Sequence, residues 1–148
     1  MMDEIRFATG VVEMSVNGGR TIRFNPADIG FLDTLYSLLG KLDAINSDAD
    51  KKRARTDDPA KFFDYARICD RRMRDAVDAV FGEGFSGEVF GELRLFALAD
   101  GLTIIENFIF AIIDKMDDSV KENMEKRSDR LAKYTAKYRK SRNERPVE

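Results

Sequence analysis

The sequence predicts a mainly α protein: an N-terminal β-hairpin packed on a bundle of about four helices, with a basic C-terminal segment that is helical or disordered. Three observations carry this. Apolar residues recur at helical spacing through several long stretches. An Asn-Gly-Gly lies between two short alternating runs, the signature of a hairpin. Charge is also divided: residues 1–118 hold fifteen basic and twenty-two acidic side chains, whereas 119–148 hold ten basic and five acidic. Residues 1–118 are therefore expected to form a single globular domain and 119–148 a basic extension with a separate task.

The hairpin covers 11–24, VVEMSVNGGRTIRF. A two-residue Asn-Gly loop would set Met14 against Thr21. A three-residue loop with Gly19 in the left-handed region sets Val12 against Phe24, Met14 against Ile22 and Glu13 against Arg23, and this second register is favoured because like faces like and charge faces counter-charge. Asn25-Pro26-Ala27-Asp28 then starts a helix over 26–45, with Asn25 as cap and Pro26 in the first turn. Its stripe is Ile29, Leu32, Leu35, Leu38, Leu42 and Ile45. Residues 46–57 are polar, lack periodicity and read as a loop or frayed end.

Asp58-Pro59 opens a helix over 59–81 with Phe62, Tyr65, Cys69, Met73 and Val77 on one side; Asp70, Arg74 and Asp78 fall on the solvated side. A third helix is expected over 88–99, capped by Ser86. Asp100-Gly101 reads as a break, and a fourth helix over 102–118 is apolar on most sides, so it is central or also faces a partner. Beyond Asp117 the pattern thins to Val120, Met124 and Leu131, and the sequence leaves open whether 117–140 continues the helix. Residues 142–148 contain Pro146 and are expected to be disordered.

Several chemistries find no support. The chain has no His, the commonest general base and metal ligand near neutral pH. Its one cysteine, Cys69, excludes an intramolecular disulfide and lies on an apolar stripe, which favours burial over reactivity. Gly82, Gly84 and Gly87 match G-x-G-x-x-G, but a dinucleotide loop needs a strand before it, and here a helix precedes. Glu83, Glu88 and Glu92 would also repel phosphate. Gly82 is better placed as a helix C-cap. Asp114, Asp117 and Asp118 share one helical turn, but no second cluster completes an oxygen cage for a divalent ion. The expectation is a protein that is not an enzyme and uses no cofactor or metal.

The longest apolar run, 108–113, is far short of a membrane span. Met1-Met2-Asp3-Glu4 is polar and acidic, unlike a secretory signal. A cytoplasmic location is expected. Two groups of residues are candidates for partner binding. Phe81, Phe85, Phe90 and Phe108 either seal the core or mark a docking surface. Leu131, Tyr134 and Tyr138, spaced i, i+3, i+7 with Lys133, Lys137 and Arg139 beside them, suggest a basic amphipathic helix. The acidic body argues against nucleic acid as its partner.

The order of parts resembles the small tail assembly chaperones of long non-contractile-tailed phages and prophages of Gram-positive bacteria. The residues that carry the resemblance are VEMSVNGGRTIRF, then N-P-A-D with F-L-D-T-L, D-A-V-D-A-V-F-G, and D-G-L-x-x-x-E-N-F-I-x-A-I, over roughly residues 10–116. It implies a non-enzymatic protein of the host cytoplasm that binds the phage tape measure protein, keeps it soluble and assists assembly of tail tube subunits. It transfers no site residues by position, and self-association stays open. Two alternatives stand beside it: a small nucleic-acid-binding accessory protein using the basic segment 126–142, and a structural tail-completion component.

Overall fold

The computed structural model describes residues 2–143. It is mainly helical, with an N-terminal antiparallel β-hairpin and four helices. Strand β1 (Val12–Ser15) pairs with β2 (Thr21–Phe24) in the register of the three-residue loop, Val12 opposite Phe24, Glu13 opposite Arg23 and Met14 opposite Ile22. The turn differs in one respect from the expectation. Asn17 (φ 48°) and Gly18 (φ 74°), not Gly19, take the left-handed conformation, and the Gly19 N–H donates to the Val16 carbonyl at 2.9 Å. Two successive left-handed residues give a turn whose twist matches the strands, and Asn and Gly are the residues that tolerate it.

Helix α1 (Ile29–Arg55) begins later and ends later than the sequence suggests. Asn25 closes a turn, its Oδ1 accepting the Ala27 N–H at 2.8 Å, and Asp28 is the cap, accepting the Gly30 N–H at 2.9 Å. The polar stretch over 46–57, expected as a loop or frayed helix end, is ordered helix as far as Arg55. Its support is tertiary: Asp48 pairs with Arg72, and Lys52 and Arg53 lie over the rings of Tyr65 and Phe62. Those partners belong to α2 (Pro59–Phe81), which matches its sequence-based bounds: Asp58 caps it, Pro59 sits in its first turn and Gly82 ends it at φ 116°.

The expected helix over 88–99 is replaced by a single short helix, α3 (Phe85–Phe90), followed by irregular chain. Ser86 is not its cap. Ser86 is buried inside α3, and its own N–H is held by the Asp78 carboxylate at 2.7 Å. The reason the helix stops lies on α2. Arg74 donates to the carbonyls of Ser86 (3.2 Å), Gly91 (2.8 Å) and Leu93, and Asp70 accepts the Leu95 N–H at 2.8 Å. These bonds use the backbone groups that a continuing helix would need for itself. Asp70, Arg74 and Asp78 are thus structural; Asp70, read from the sequence as solvated, is buried.

Asp100 (φ 55°) and Gly101 (φ 83°) form a tight turn, not a simple break, joining β3 (Leu98–Ala99) to β4 (Leu102–Thr103). Helix α4 (Ile104–Asn143) follows at once. Its start is a reciprocal capping box: Thr103 Oγ1 accepts the Glu106 N–H and Glu106 Oε1 accepts the Thr103 N–H. The N–H groups of Ile104 and Ile105 are taken by the carbonyls of Ala97 and Leu95. The helix expected over 102–118 therefore starts two residues later and runs unbroken to Asn143. Residues 142 and 143, expected to be disordered, belong to it; 144–148 lie outside the described residues.

The core forms where the four helices and the hairpin meet. It contains Leu35, Leu38 and Leu42 of α1, Cys69, Met73 and Val77 of α2, Phe85 and Phe90 of α3, Leu95, and Ile105, Ile109, Ile113 and Met116 of α4, closed on one side by Ile22 and Phe24 of β2.

Candidate functional site

At 1.5 Å per residue, a helix of forty residues is about 60 Å long. Only its first third is buried in the body. Ile105, Ile109, Ile112, Ile113 and Met116 enter the core, Val120 is half-buried, and every residue from 121 to 140 is exposed. Leu131 therefore stands about 22 Å along the axis beyond Met116, the last core residue.

The projecting part is amphipathic. Ile113, Val120, Met124, Leu131, Tyr134 and Tyr138 are separated by seven, four, seven, three and four residues, the 3.5-residue repeat of a helix–helix seam, with Asp117 and Arg127 as its polar interruptions. The same seam that seats Ile113 in the core thus runs outward into solvent. There Met124 is 62% exposed, Leu131 45%, Tyr134 63% and Tyr138 62%. Residues 121–140 carry eight basic and three acidic side chains. Among the described residues no carboxylate pairs with Lys133, Lys137, Arg139 or Lys140.

At the root of this helix, Ile29 and Leu32 of α1 face Val120 and Met124 across an open groove of about 660 Å³, rimmed by Asp117, Lys121 and Glu125. The groove makes the seam continuous with an exposed patch of the body, since Ile29 is 66% exposed. Ile29 lies on the predicted stripe of the first helix, yet nothing in the sequence indicates that it faces this groove. The seam itself is marked in the sequence by its heptad spacing, which extends the basic amphipathic segment 131–139 back to Val120.

The predicted binding residues fall into two separate groups. Leu131, Lys133, Tyr134, Lys137, Tyr138 and Arg139 all lie on the projecting helix. The four phenylalanines are brought together in the body. Phe81 stacks on Phe85 with centroids 4.8 Å apart, and Phe108 meets Phe81, Phe85 and Phe90 at 5.4, 5.8 and 5.4 Å. Phe85 and Phe90 are buried, at 1% and 6% exposure, and Phe85 offers no surface to a partner in this conformation. Arg20 covers the Phe85 ring and pairs with Glu88 at 2.8 Å. Phe81 and Phe108 are half-buried.

A second concavity of about 420 Å³ opens beside this cluster, between the hairpin, α3 and α4. Met14, Ile22, Val89, Phe90, Leu93 and Phe108 supply most of its wall, with Asn107 and Lys115 at its polar margin. Asn107 is committed elsewhere, donating to the Ala99 carbonyl at 2.7 Å.

Cys69 is buried between α1 and α2, and burial pushes its thiol pKa up; burial likewise raises that of the Tyr65 hydroxyl. A thiol held in this way is a poor nucleophile. Among the described residues no group of three His, Cys, Asp or Glu is arranged to hold a metal ion, and no helix is long and apolar enough to cross a membrane. Asp114, Asp117 and Asp118 are exposed. What the described surface of α4 presents is an exposed apolar seam with a cationic flank. Comparison with known protein families, curated proteins and solved structures finds no significant match.

Proposed function

We propose that the protein is a non-enzymatic assembly chaperone that holds a helical segment of a partner along the projecting part of α4. The observation that carries this reading is the exposed seam of Val120, Met124, Leu131, Tyr134 and Tyr138, continuous at its root with Ile29 and Leu32. An isolated helix of this length gains little from propensity alone and is stabilised chiefly by packing of its apolar face. A second helix laid along the seam supplies that packing.

The resemblance of residues 10–116 to tail assembly chaperones of long-tailed phages names the partner as the tape measure protein, with the tail tube subunits as the assembly it serves in the host cytoplasm. The physics suits that task. The four exposed seam residues, Met124, Leu131, Tyr134 and Tyr138, at roughly 1.5 kcal/mol each give about 6 kcal/mol before association costs, which offset much of it. Binding is thus weak enough to be released when the tube closes around the client. The cationic flank selects a client helix with an acidic face and makes the complex salt-sensitive.

Coexpression with the tape measure protein tests the proposal. The expected result is a gain in the soluble fraction of the client and its co-purification with this protein, both lost when 120–143 is deleted. Unchanged client solubility would overturn it. The same eight basic side chains give nucleic acid a specific claim as a second partner. A gel shift that weakens steeply with salt and depends on 126–142 would favour that reading. Self-assembly of the purified protein into rings or tubes would favour a structural tail component.

A further inference from the structure

Residues 2–8 precede the hairpin as an exposed arm without regular secondary structure, and Met2, Ile5 and Phe7 are 93%, 91% and 80% exposed. The arm's sequence alternates charge with large apolar side chains over Glu4–Phe7. Arg6 Nη2 donates to Glu4 Oε2 at 3.0 Å, an i,i+2 pair that an extended backbone places on one face. In a strand, Ile5 and Phe7 would share the other face. Large apolar side chains alternating with charge are the pattern of a strand that lies on an apolar floor.

Such a floor exists beside an open strand edge. Val16 donates to the Arg20 carbonyl, so Val16 and Arg20 form a hydrogen-bonded pair of the hairpin. By alternation Met14 and Val12 are bonded pairs too, and the N–H and C=O groups of Glu13 and Ser15 point away from β2. Among the described residues β1 has no other strand beside it. Met14, Ser15 and Val16 also form one bank of the 420 Å³ apolar cleft, with Val89 and Leu93 among the residues that complete it. The free edge and the cleft are thus adjacent.

The arm's own root is held away from that edge. Asn25 Nδ2 donates to the Thr9 carbonyl at 3.1 Å, tying the arm to the end of β2. Gly10 is left-handed (φ 73°) and packed so closely that a Cβ there would lie 2.8 Å from Asn25 Nδ2. Folding the arm back onto β1 of its own chain would break this anchor.

We propose that the arm of one copy adds as a third strand to the free edge of β1 in a second copy, seating Ile5 and Phe7 in that copy's cleft. Strand addition satisfies the outward groups of Glu13 and Ser15 and covers the apolar floor. Exchange is reciprocal, because each chain carries both the arm and the cleft, and reciprocal exchange closes as a two-fold dimer. Glu4 and Arg6 remain outside, facing water. The seam on α4 takes no part, so arm exchange stands or falls separately from client binding.

Sedimentation analysis of the full chain tests this. The wild type is expected to dimerise at micromolar concentration, and the double variant Ile5→Ser/Phe7→Ser to sediment as a monomer that still unfolds cooperatively and melts as the wild type does when both are diluted below the dimerisation range. A monomeric wild type, or a variant that dimerises as the wild type does, would overturn the proposal. A chain carrying Phe7→Cys and Val89→Cys separates exchange from folding back. Oxidation is expected to give a disulfide-linked dimer on a non-reducing gel, and a cross-link confined to the monomer would overturn exchange.

Discussion

Replacing Asp70 by alanine removes the carboxylate that stops α3 and fixes the chain leading to β3. The Asp70 side chain is 7% exposed and that of Arg74 17%. Asp70 Oδ2 accepts from Arg74 Nε at 2.9 Å, and Oδ1 accepts from the Leu95 N–H at 2.8 Å. Removing one partner of a buried pair costs about 3–5 kcal/mol, and leaving a buried N–H without an acceptor about 1–3 kcal/mol. These costs overlap, because one carboxylate serves both groups. Arg74 also keeps its carbonyl partners and touches solvent, which places the expected loss near the low end, about 3 kcal/mol. For a chain of this size that lowers the Tm by roughly 6–12 °C. Asp70→Asn keeps an acceptor for Leu95 while losing the charge, and is expected to cost about half as much. Thermal and urea unfolding monitored by circular dichroism read both. An Asp70→Ala protein within about 1 kcal/mol of wild type, a small fraction of the cost of breaking a buried pair, would refute the claim that this pair organises residues 85–95.

Phe85→Ala empties the centre of the aromatic cluster and is expected to cost about 3–5 kcal/mol in the same unfolding assays; a near-neutral result would return Phe85 to the list of docking residues. Thr103→Ala breaks the capping box at the start of α4, and the loss should be about 1 kcal/mol, with faster amide exchange confined to the first turn. Cys69 should resist thiol reagents in the native state and react at once in denaturant. Because burial raises its pKa in the folded state, its effect on stability is constant at lower pH, and stability then falls as pH rises above about 8.5, the ordinary thiol value. Cys69→Ala should flatten that decline in a pH series of melts, and an unchanged slope would remove Cys69 as its cause.

Local signals made part of this fold legible. Asp58, Pro59 and Gly82 bracket α2 with residues that act within one turn, so both its ends could be placed from sequence. The hairpin register followed from pairing like with like. The end of α1 could not be read in that way, because residues 46–55 have no apolar stripe and their support comes from Arg72, Tyr65 and Phe62 of α2. The missing helix over 88–99 is the converse case. Helical propensity there is overridden by Asp70 and Arg74, a fourth-residue pair that looks like any solvated helix face until the chain folds over it. Two further signals lie in the sequence itself: Asp100-Gly101 suits a hairpin turn as well as a break, and Thr103-x-x-Glu106 has the spacing of a capping box. Of the candidate site, the basic amphipathic character of 131–139 was legible, whereas the heptad that extends it reads as a thinning apolar pattern until α4 is seen to continue. Its root was not, since Ile29 and Val120 are ninety-one residues apart and meet only in three dimensions.

The burial boundary along α4 separates residues that hold the core from residues that do not. Substitutions before Met116 act on the core, whereas Leu131, Tyr134 and Tyr138 can be changed to alanine with little effect on the melt. Hydrogen exchange of the protein with and without a tape measure segment measures the central claim most directly. The account predicts that amides between Val120 and Lys140 gain protection on binding, while those of α2 stay unchanged, and that Leu131→Ala/Tyr134→Ala/Tyr138→Ala abolishes the gain in a protein that melts as the wild type does. Protection that instead appears around Val89 and Leu93, with none along α4, would contradict it.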